Sequence, residues 1–370
     1  CRVLVADQSG QPESLVASSS GTFRHLDSDI PLCADCAFTT GYAGRKQGLA
    51  GKLTAELVAL GAAEGAVVAG LGMFEQGYYD KLGFGTGSYE TWLGLDPSSL
   101  NIGIHPPPPL RLTKEDFQMI HRSRLSRKRS HGFVSLHREE LTHAEMSWGK
   151  KGFGLGYMAP GGDLLSHHLW CGRAEGEHGP YSVSWMCYEN YFQFLELMAL
   201  IRNLGDQVSL VRIFEPPAIQ LQDLILKPFN HLRKTRRSKF ETSHSAYAYW
   251  QLRICDLPEC MALTSLPGEE VTFNLELTDP IQRFLDDDAP WSGISGSYTV
   301  TLGPRSSAVA GHSPGLQVME ASVGAFTRMW MGVRPPTGLA VTDILAGPED
   351  LLCRLDDLLR LPHPRNDWEY

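Results

Sequence analysis

Short, largely apolar runs open the chain. Residues 2–6, 15–18 and 30–40 form them, and polar turns separate them, which predicts a β-meander. From 48 to 64 the period becomes helical. Leu49, Leu53, Leu57 and Leu60 fall on one face, with Lys52, Glu56 and Glu64 off it. An apolar strand of small residues is expected at 66–71, a short helix at 78–82 ending at Gly83, and a last strand at 89–95.

Pro106 to Pro109 form a run that suits neither helix nor central strand, so 101–109 reads as a linker. Beyond it the rhythm is mixed. A helix starts at Thr113-Lys114-Glu115-Asp116, and strands are expected at 154–159, 167–171 and 181–188. A helix over 189–203 carries Tyr191, Phe194, Leu195, Met198 and Ile201 as one stripe, and a strand follows at 208–214. The last third has strands at 250–254, 271–277 and 297–302 and helices at 322–331 and 349–359. The fold class is therefore α/β (α+β), in three compact units.

Length agrees with that division, since 370 residues exceed one ordinary domain. Hydrophobic residues at 42% and charged residues at 20% allow ordinary cores. A net charge of −9 argues against nucleic acid or an anionic membrane as default partners. The basic runs 122–129 and 233–239 read as solvated helix ends or loops. No apolar run is long enough to span a bilayer and no secretory signal is visible, so a cytoplasmic location is expected. The chain opens on Cys1 rather than Met, which suggests a trimmed start. Eight cysteines are too sparse for a disulfide scaffold and read as buried or semi-buried free thiols. Cys33 and Cys36 would face opposite sides of a strand, and no metal site is expected. His167 and His168 are separated in the same way. Asp286-Asp287-Asp288 lacks the spacing of a calcium loop. Trp291, Trp330 and Trp368 read as core.

The candidate chemistry lies in residues 36–85. A strand ends at Phe38-Thr39-Thr40, a loop follows, and Arg45-Lys46-Gln47-Gly48-Leu49-Ala50 leads into the helix. A glycine at a helix N-terminus offers unpaired N–H groups and the positive dipole end to a pyrophosphate, and Arg45 and Lys46 add charge. One strand later comes Glu75-Gln76-Gly77-Tyr78-Tyr79-Asp80-Lys81-Leu82-Gly83-Phe84. Together the two segments resemble the GNAT superfamily of acyl-coenzyme A-dependent transferases. The three-part chain, the proline-marked junction and the ending Asn366-Asp367-Trp368-Glu369-Tyr370 resemble the Eis-type (enhanced intracellular survival) N-acetyltransferases in particular.

That resemblance implies tandem GNAT-type mixed-sheet domains at 1–100 and 101–246, then a sterol-carrier-protein-like α+β domain at 247–370. Acetyl-CoA is the implied co-substrate. Phe38, Thr39 and Thr40 match the strand edge that pairs with the pantetheine arm. Lys46 to Gly51 match the pyrophosphate turn, and Phe74 and Glu75 match positions beside the thioester. Tyr79 matches the acid that protonates the leaving thiolate, with Tyr78 as its neighbouring rival. The α-carboxylate of Tyr370 matches the base. The implied acceptor is a primary amine of polyamine, lysine or aminoglycoside type, and the implied assembly is a trimer-based oligomer or hexamer. The strand and two helices that precede the first strand in that family are missing here, and Tyr42 and Phe74 are bulkier than usual. A catalytically weak acyl-CoA-binding regulator and a lipid carrier acting through the last domain remain alternatives.

Overall fold

A computed structural model describes residues 1–148, 151–173 and 176–370. They form two compact units: Cys1–Ser88 with Ser130–His137 and Ala248–Tyr370, and Tyr89–Arg129 with Arg138–Tyr247.

The first unit begins with β1 (Arg2–Gln8), β2 (Gln11–His25) and β3 (Ser28–Thr40), an antiparallel meander. These strands are longer than the apolar runs indicated. The run Ser18-Ser19-Ser20-Gly21 has the composition of a turn, yet it continues β2. At Gly21 a Cβ would stand 2.5 Å from the Ser135 carbonyl oxygen, so glycine lets the strand Val134–Leu136 pair on β2. Helix α1 (Leu49–Ala63) follows, with Leu53, Leu57 and Val58 buried. It stops at Gly65, φ +96°, where Ala66 N donates to Gly61 O and Gly65 N to Ala62 O, both at 3.0 Å.

After α1 the chain enters β4 (Val68–Gly72), which runs parallel to β3. Then comes β5 (Gly85–Thr86). Between β4 and β5 lies the strand Trp250–Ile254. Its alternation shows a strand, but nothing local shows that its partners lie far earlier in the chain, in the first hundred residues. The same unit holds a five-stranded sheet in the order Ser307–Ala310, Gly296–Leu302, Val271–Thr278, Val318–Ser322, Leu345–Ala346.

The second unit is built on a seven-stranded mixed sheet. Glu90–Leu95, expected as the last strand of the first sheet, pairs here with Val211–Phe214 and Ser243–Tyr247. Tyr181–Cys187, the helix Tyr191–Asn203 and Val211–Phe214 repeat the strand–helix–strand pattern with a parallel pair. Residues 101–109 carry no regular element. The basic run 122–129 departs from its expected solvation. Arg124 is 1% exposed, ion-paired with Glu145 and 4.1 Å from the Trp185 ring centroid, and Arg127 is also buried. A helix face that must pack covers its cations instead of wetting them. The chain is thus α/β with mixed sheets.

Candidate active site

The first sheet parts between β3 and β4. The strands pair from Leu32↔Val68 to Asp35↔Leu71. Past Asp35, β3 continues to Thr40 with β2 as its partner, and β4 ends at Gly72. A bulge at Ala37, φ +55°, turns the strand where the pair opens. Phe38, Thr39 and Thr40 therefore form a strand edge on the fork. Thr39 is exposed, and Phe38 and Thr40 are half-buried.

The loop from Gly41 to Gly48 is tied to β2 through Glu13. Gly41 N donates to Glu13 O at 2.7 Å, and Gly44 N to Glu13 Oε2 at 2.9 Å. Gln47 Nε2 donates to Ala43 O at 2.6 Å, so the side chain of Gln47 braces the loop. Arg45, Lys46, Gln47 and Gly48 are exposed, Leu49 and Ala50 half-buried and Gly51 buried. Lys46 and Gly48 take left-handed conformations, φ +63° and +79°. The first helical bond runs from Lys52 N to Gly48 O at 3.1 Å, so the N–H groups of Leu49, Ala50 and Gly51 lie ahead of it. No side chain caps this end and no acid sits in its first turn. The corresponding helix of the second unit differs, because Asn190 Oδ1 accepts from Gln193 N at 3.0 Å. Only the first of these two ends is left open to an anion.

Tyr79 has no exposed surface and packs in the cluster of Cys33, Ala69, Leu71, Leu82 and Phe84. The rings of Phe38, Phe74 and Tyr78 surround it at 5.1, 5.8 and 4.8 Å. Its Oη has no hydrogen-bond partner among the described residues. Burial, then the proximity of Tyr78 and Asp35, hold the phenol well above the usual tyrosine range, so it keeps its proton. The expected helix at 78–82 shrinks to a 3-10 turn, Asp80–Leu82, closed by left-handed Gly83. Tyr79 is therefore buried at the start of that turn and Tyr78 only half-buried. Phe74 is 71% exposed, and the Glu75 carboxylate, also exposed, accepts from Gln76 N at 3.0 Å.

The C-terminal tail runs along residues 130–134. Arg365 N donates to His131 O at 3.1 Å, and Val134 N to Asp367 Oδ1 at 3.1 Å. Trp368 is buried, and Tyr370 ends over β4. A Cβ on Gly70 would meet Tyr370 Oη at 2.8 Å, and one on Gly72 would lie 3.7 Å from the Tyr370 backbone oxygen.

Three polar residues missed in the sequence stand beside the tyrosine. Asp35, fully buried at the last position of β3 that pairs with β4, receives a contact from Cys33 Sγ at 3.3 Å, while its Oδ2 has no partner among the described residues. Burial, against the pull of Cys33 and Arg253, pushes its carboxyl up to about 8. Gln251 and Arg253 are also fully buried. An acid in the apolar run 30–38 was the available signal. The cysteines are free thiols, and Cys1 and Cys353 are exposed where burial was expected.

No protein-family model and no curated protein sequence matches this chain. Solved structures do. It has the fold of the GCN5-related N-acetyltransferases. One such protein from Anabaena variabilis superimposes with a TM-score of 0.77 at 13% identity, over 100% of this chain and 89% of that one. One from Kribbella flavida gives 0.73 at 14%, over 100% and 87%. Eis1 from Mycobacterium abscessus gives 0.74 at 13%, over 100% and 90%.

Proposed function

We propose that this chain is an acetyl-CoA-dependent N-acetyltransferase. The observation that carries the reading is the fork. A parallel pair opens after Asp35 and Leu71. An uncapped helix end with two exposed cations stands at its mouth. A protonated, partnerless tyrosine lies in the cluster beside it. The free edge at Phe38, Thr39 and Thr40 suits an amide-bearing arm, which would add hydrogen bonds as a strand does. Arg45, Lys46, Gln47, Gly48, Leu49, Ala50 and Gly51 suit a pyrophosphate. Phe74 and Glu75 border the thioester end.

In this reading a primary amine attacks the thioester carbonyl. The carbon–sulfur bond breaks, and the Tyr79 phenol gives its proton to the thiolate. The Tyr370 carboxylate takes the proton lost by the amine. Positioning of the two substrates supplies most of the rate. Polyamine-, lysine- or aminoglycoside-like amines are the acceptor class, and the five-stranded C-terminal sheet is read as a sterol-carrier-protein-like domain. The same reading includes a cytoplasmic, trimer-based or hexameric assembly, which sedimentation would test; no described helix is long and apolar enough to cross a membrane.

The test is thiol release from acetyl-CoA with a panel of amines. Release that vanishes in Tyr79→Phe, with coenzyme binding intact, supports the reading. Coenzyme binding without release from any amine would assign the chain to regulation instead.

A further inference from the structure

The strand Trp250–Ile254 carries two buried polar side chains into an apolar layer. Its register sets Arg253 against Ala69 and Gln251 against Leu71. Ala69 and Leu71 belong to the cluster around Tyr79, so Arg253 and Gln251 point to that face of the sheet. A buried amide and a buried guanidinium persist only where partners repay their desolvation.

Those partners lie on the turn that carries Tyr79. Gln251 Nε2 donates to Asp80 Oδ1 at 2.7 Å and to Thr86 Oγ1 at 3.0 Å. Arg253 Nη1 donates to Leu82 O. Its Nη2 donates to Asp279 Oδ2 at 2.6 Å, and Asp279 is itself held by the N–H groups of Ile281 and Ile294 at 3.2 and 3.0 Å. Gly83 takes φ +81°, and a Cβ there would stand 2.9 Å from Arg253 Nη1. The turn is thus fixed one residue and three residues after Tyr79. Among the described residues the phenol oxygen has no partner of its own.

We propose that Gln251 and Arg253 are positioning residues for the Tyr79 phenol. They touch Asp80 and Leu82 rather than reacting atoms, and they set where the phenol stands. The inference rests on the acetyltransferase reading for its rate consequence. Its structural content is independent of that reading, because the turn has a place with or without chemistry. A proton donor displaced by about 1 Å can lose on the order of a hundredfold in rate.

The experiment uses the full chain. Gln251→Ala and Asp80→Ala remove the contact, whereas Asp80→Asn keeps an acceptor for Gln251. Acetyl-CoA binding, kcat, KM and thermal midpoint are measured for each. Arg253→Met leaves Asp279 unpaired and unsettles the fold, so Arg253→Lys serves there. We expect kcat to fall about ten- to a hundredfold in Gln251→Ala and Asp80→Ala at unchanged coenzyme affinity. Asp80→Asn retains most of it, whereas Arg253→Lys, whose single ammonium cannot span Leu82 O and the Asp279 carboxylate, falls about tenfold. The double variant Gln251→Ala/Asp80→Ala loses no more than either single one. A second readout needs no turnover. In protein labelled with 3-fluorotyrosine, the resonance absent from Tyr79→Phe should move in Gln251→Ala and Asp80→Ala and stay in Asp80→Asn. Unchanged kcat and an unmoved resonance in the alanine variants and in Arg253→Lys overturn the proposal, as do losses that follow the thermal midpoint alone. A wild type that releases no thiol, with a resonance that still moves, overturns the acetyltransferase reading and leaves the positioning intact.

Discussion

Tyr79 and Tyr370 stand on opposite faces of β4. Tyr79 packs with Ala69 and Leu71, and Tyr370 lies over Gly70 and Gly72. Alternation along one strand separates them, and the fork beside it joins the two faces. In the proposed reaction the acid and the base approach the thioester from opposite faces of that strand.

The two glycines make that relationship testable. A methyl group at Gly70 meets Tyr370 Oη at 2.8 Å and a Leu252 methyl at 3.1 Å, so Gly70→Ala must shift the Tyr370 ring. At Gly72 the nearest atom is 3.7 Å away. Steady-state thiol release should fall about tenfold or more in Gly70→Ala and stay within about twofold in Gly72→Ala. Wild-type turnover in Gly70→Ala would show that the chemistry does not depend on the seat of the Tyr370 ring.

The open helix end predicts a binding effect without a chemical one. Arg45→Ala and Lys46→Gly each take one exposed cation from the loop, and glycine keeps the left-handed backbone of position 46. Coenzyme affinity should weaken about two- to fivefold for each, more at low salt, with kcat unchanged. Titration calorimetry at two ionic strengths checks this. Equal affinity at both strengths would place the pyrophosphate elsewhere.

Asp35 sets the alkaline side of stability. Its folded value of about 8 lies above its ordinary 3.8, so the folded state holds a proton that the unfolded chain has released. That contribution is complete below about 4 and is lost as pH rises through 8, at roughly 1.4 kcal/mol per pH unit in between. Denaturant midpoints of Asp35→Asn should decline less from pH 6 to 8 than those of the wild type. Parallel curves would show that Asp35 is ionised in the fold.

Buried histidines weaken the fold on the acid side, His25 and His131 among them. His25 is stacked on Trp330 at 4.4 Å and lies edge-on to His131 at 5.0 Å. Burial, then the nearness of His131, pushes His25 down to about 3, and burial also lowers His131. The unfolded chain takes up these protons near pH 6.5 and the fold does not. Stability is therefore whole above 6.5 and falls toward pH 3, by roughly 1.4 kcal/mol per pH unit for His25. His25→Phe, which keeps a ring against Trp330, should show a shallower acid slope in urea titrations. An identical slope would mean that other groups govern acid unfolding.

Most strands and helices were legible because their period is local. Helix α1 fell within one residue of its expected limits, since Gly48 and Gly65 bound it. The Arg45–Ala50 loop was legible for the same reason. Pairing was not. The alternation in 89–95 and 250–254 marks strands, but a strand edge carries no address, so Glu90–Leu95 and Trp250–Ile254 joined sheets that their place in the chain does not suggest. The polar frame under Tyr79 was hidden likewise, because Gln251 and Arg253 look like the solvent face of an edge strand until their partners are known. Arg124 misled for a related reason: a charge run shows its sign but not its burial.

The placement of Trp250–Ile254 has a consequence for synthesis. Residues 1–100 leave the ribosome without the strand that separates β4 from β5. The bond from Gln251 to Asp80, which anchors the tyrosine turn, is then still unmade, so these residues have no complete sheet to close. The first sheet can finish only after residue 254 has emerged, so its early strands wait, incomplete, while the whole second unit is translated. A shortened version ending near residue 100 is thus an unfinished molecule rather than a minimal enzyme, and the fold's order of assembly runs against its order of translation.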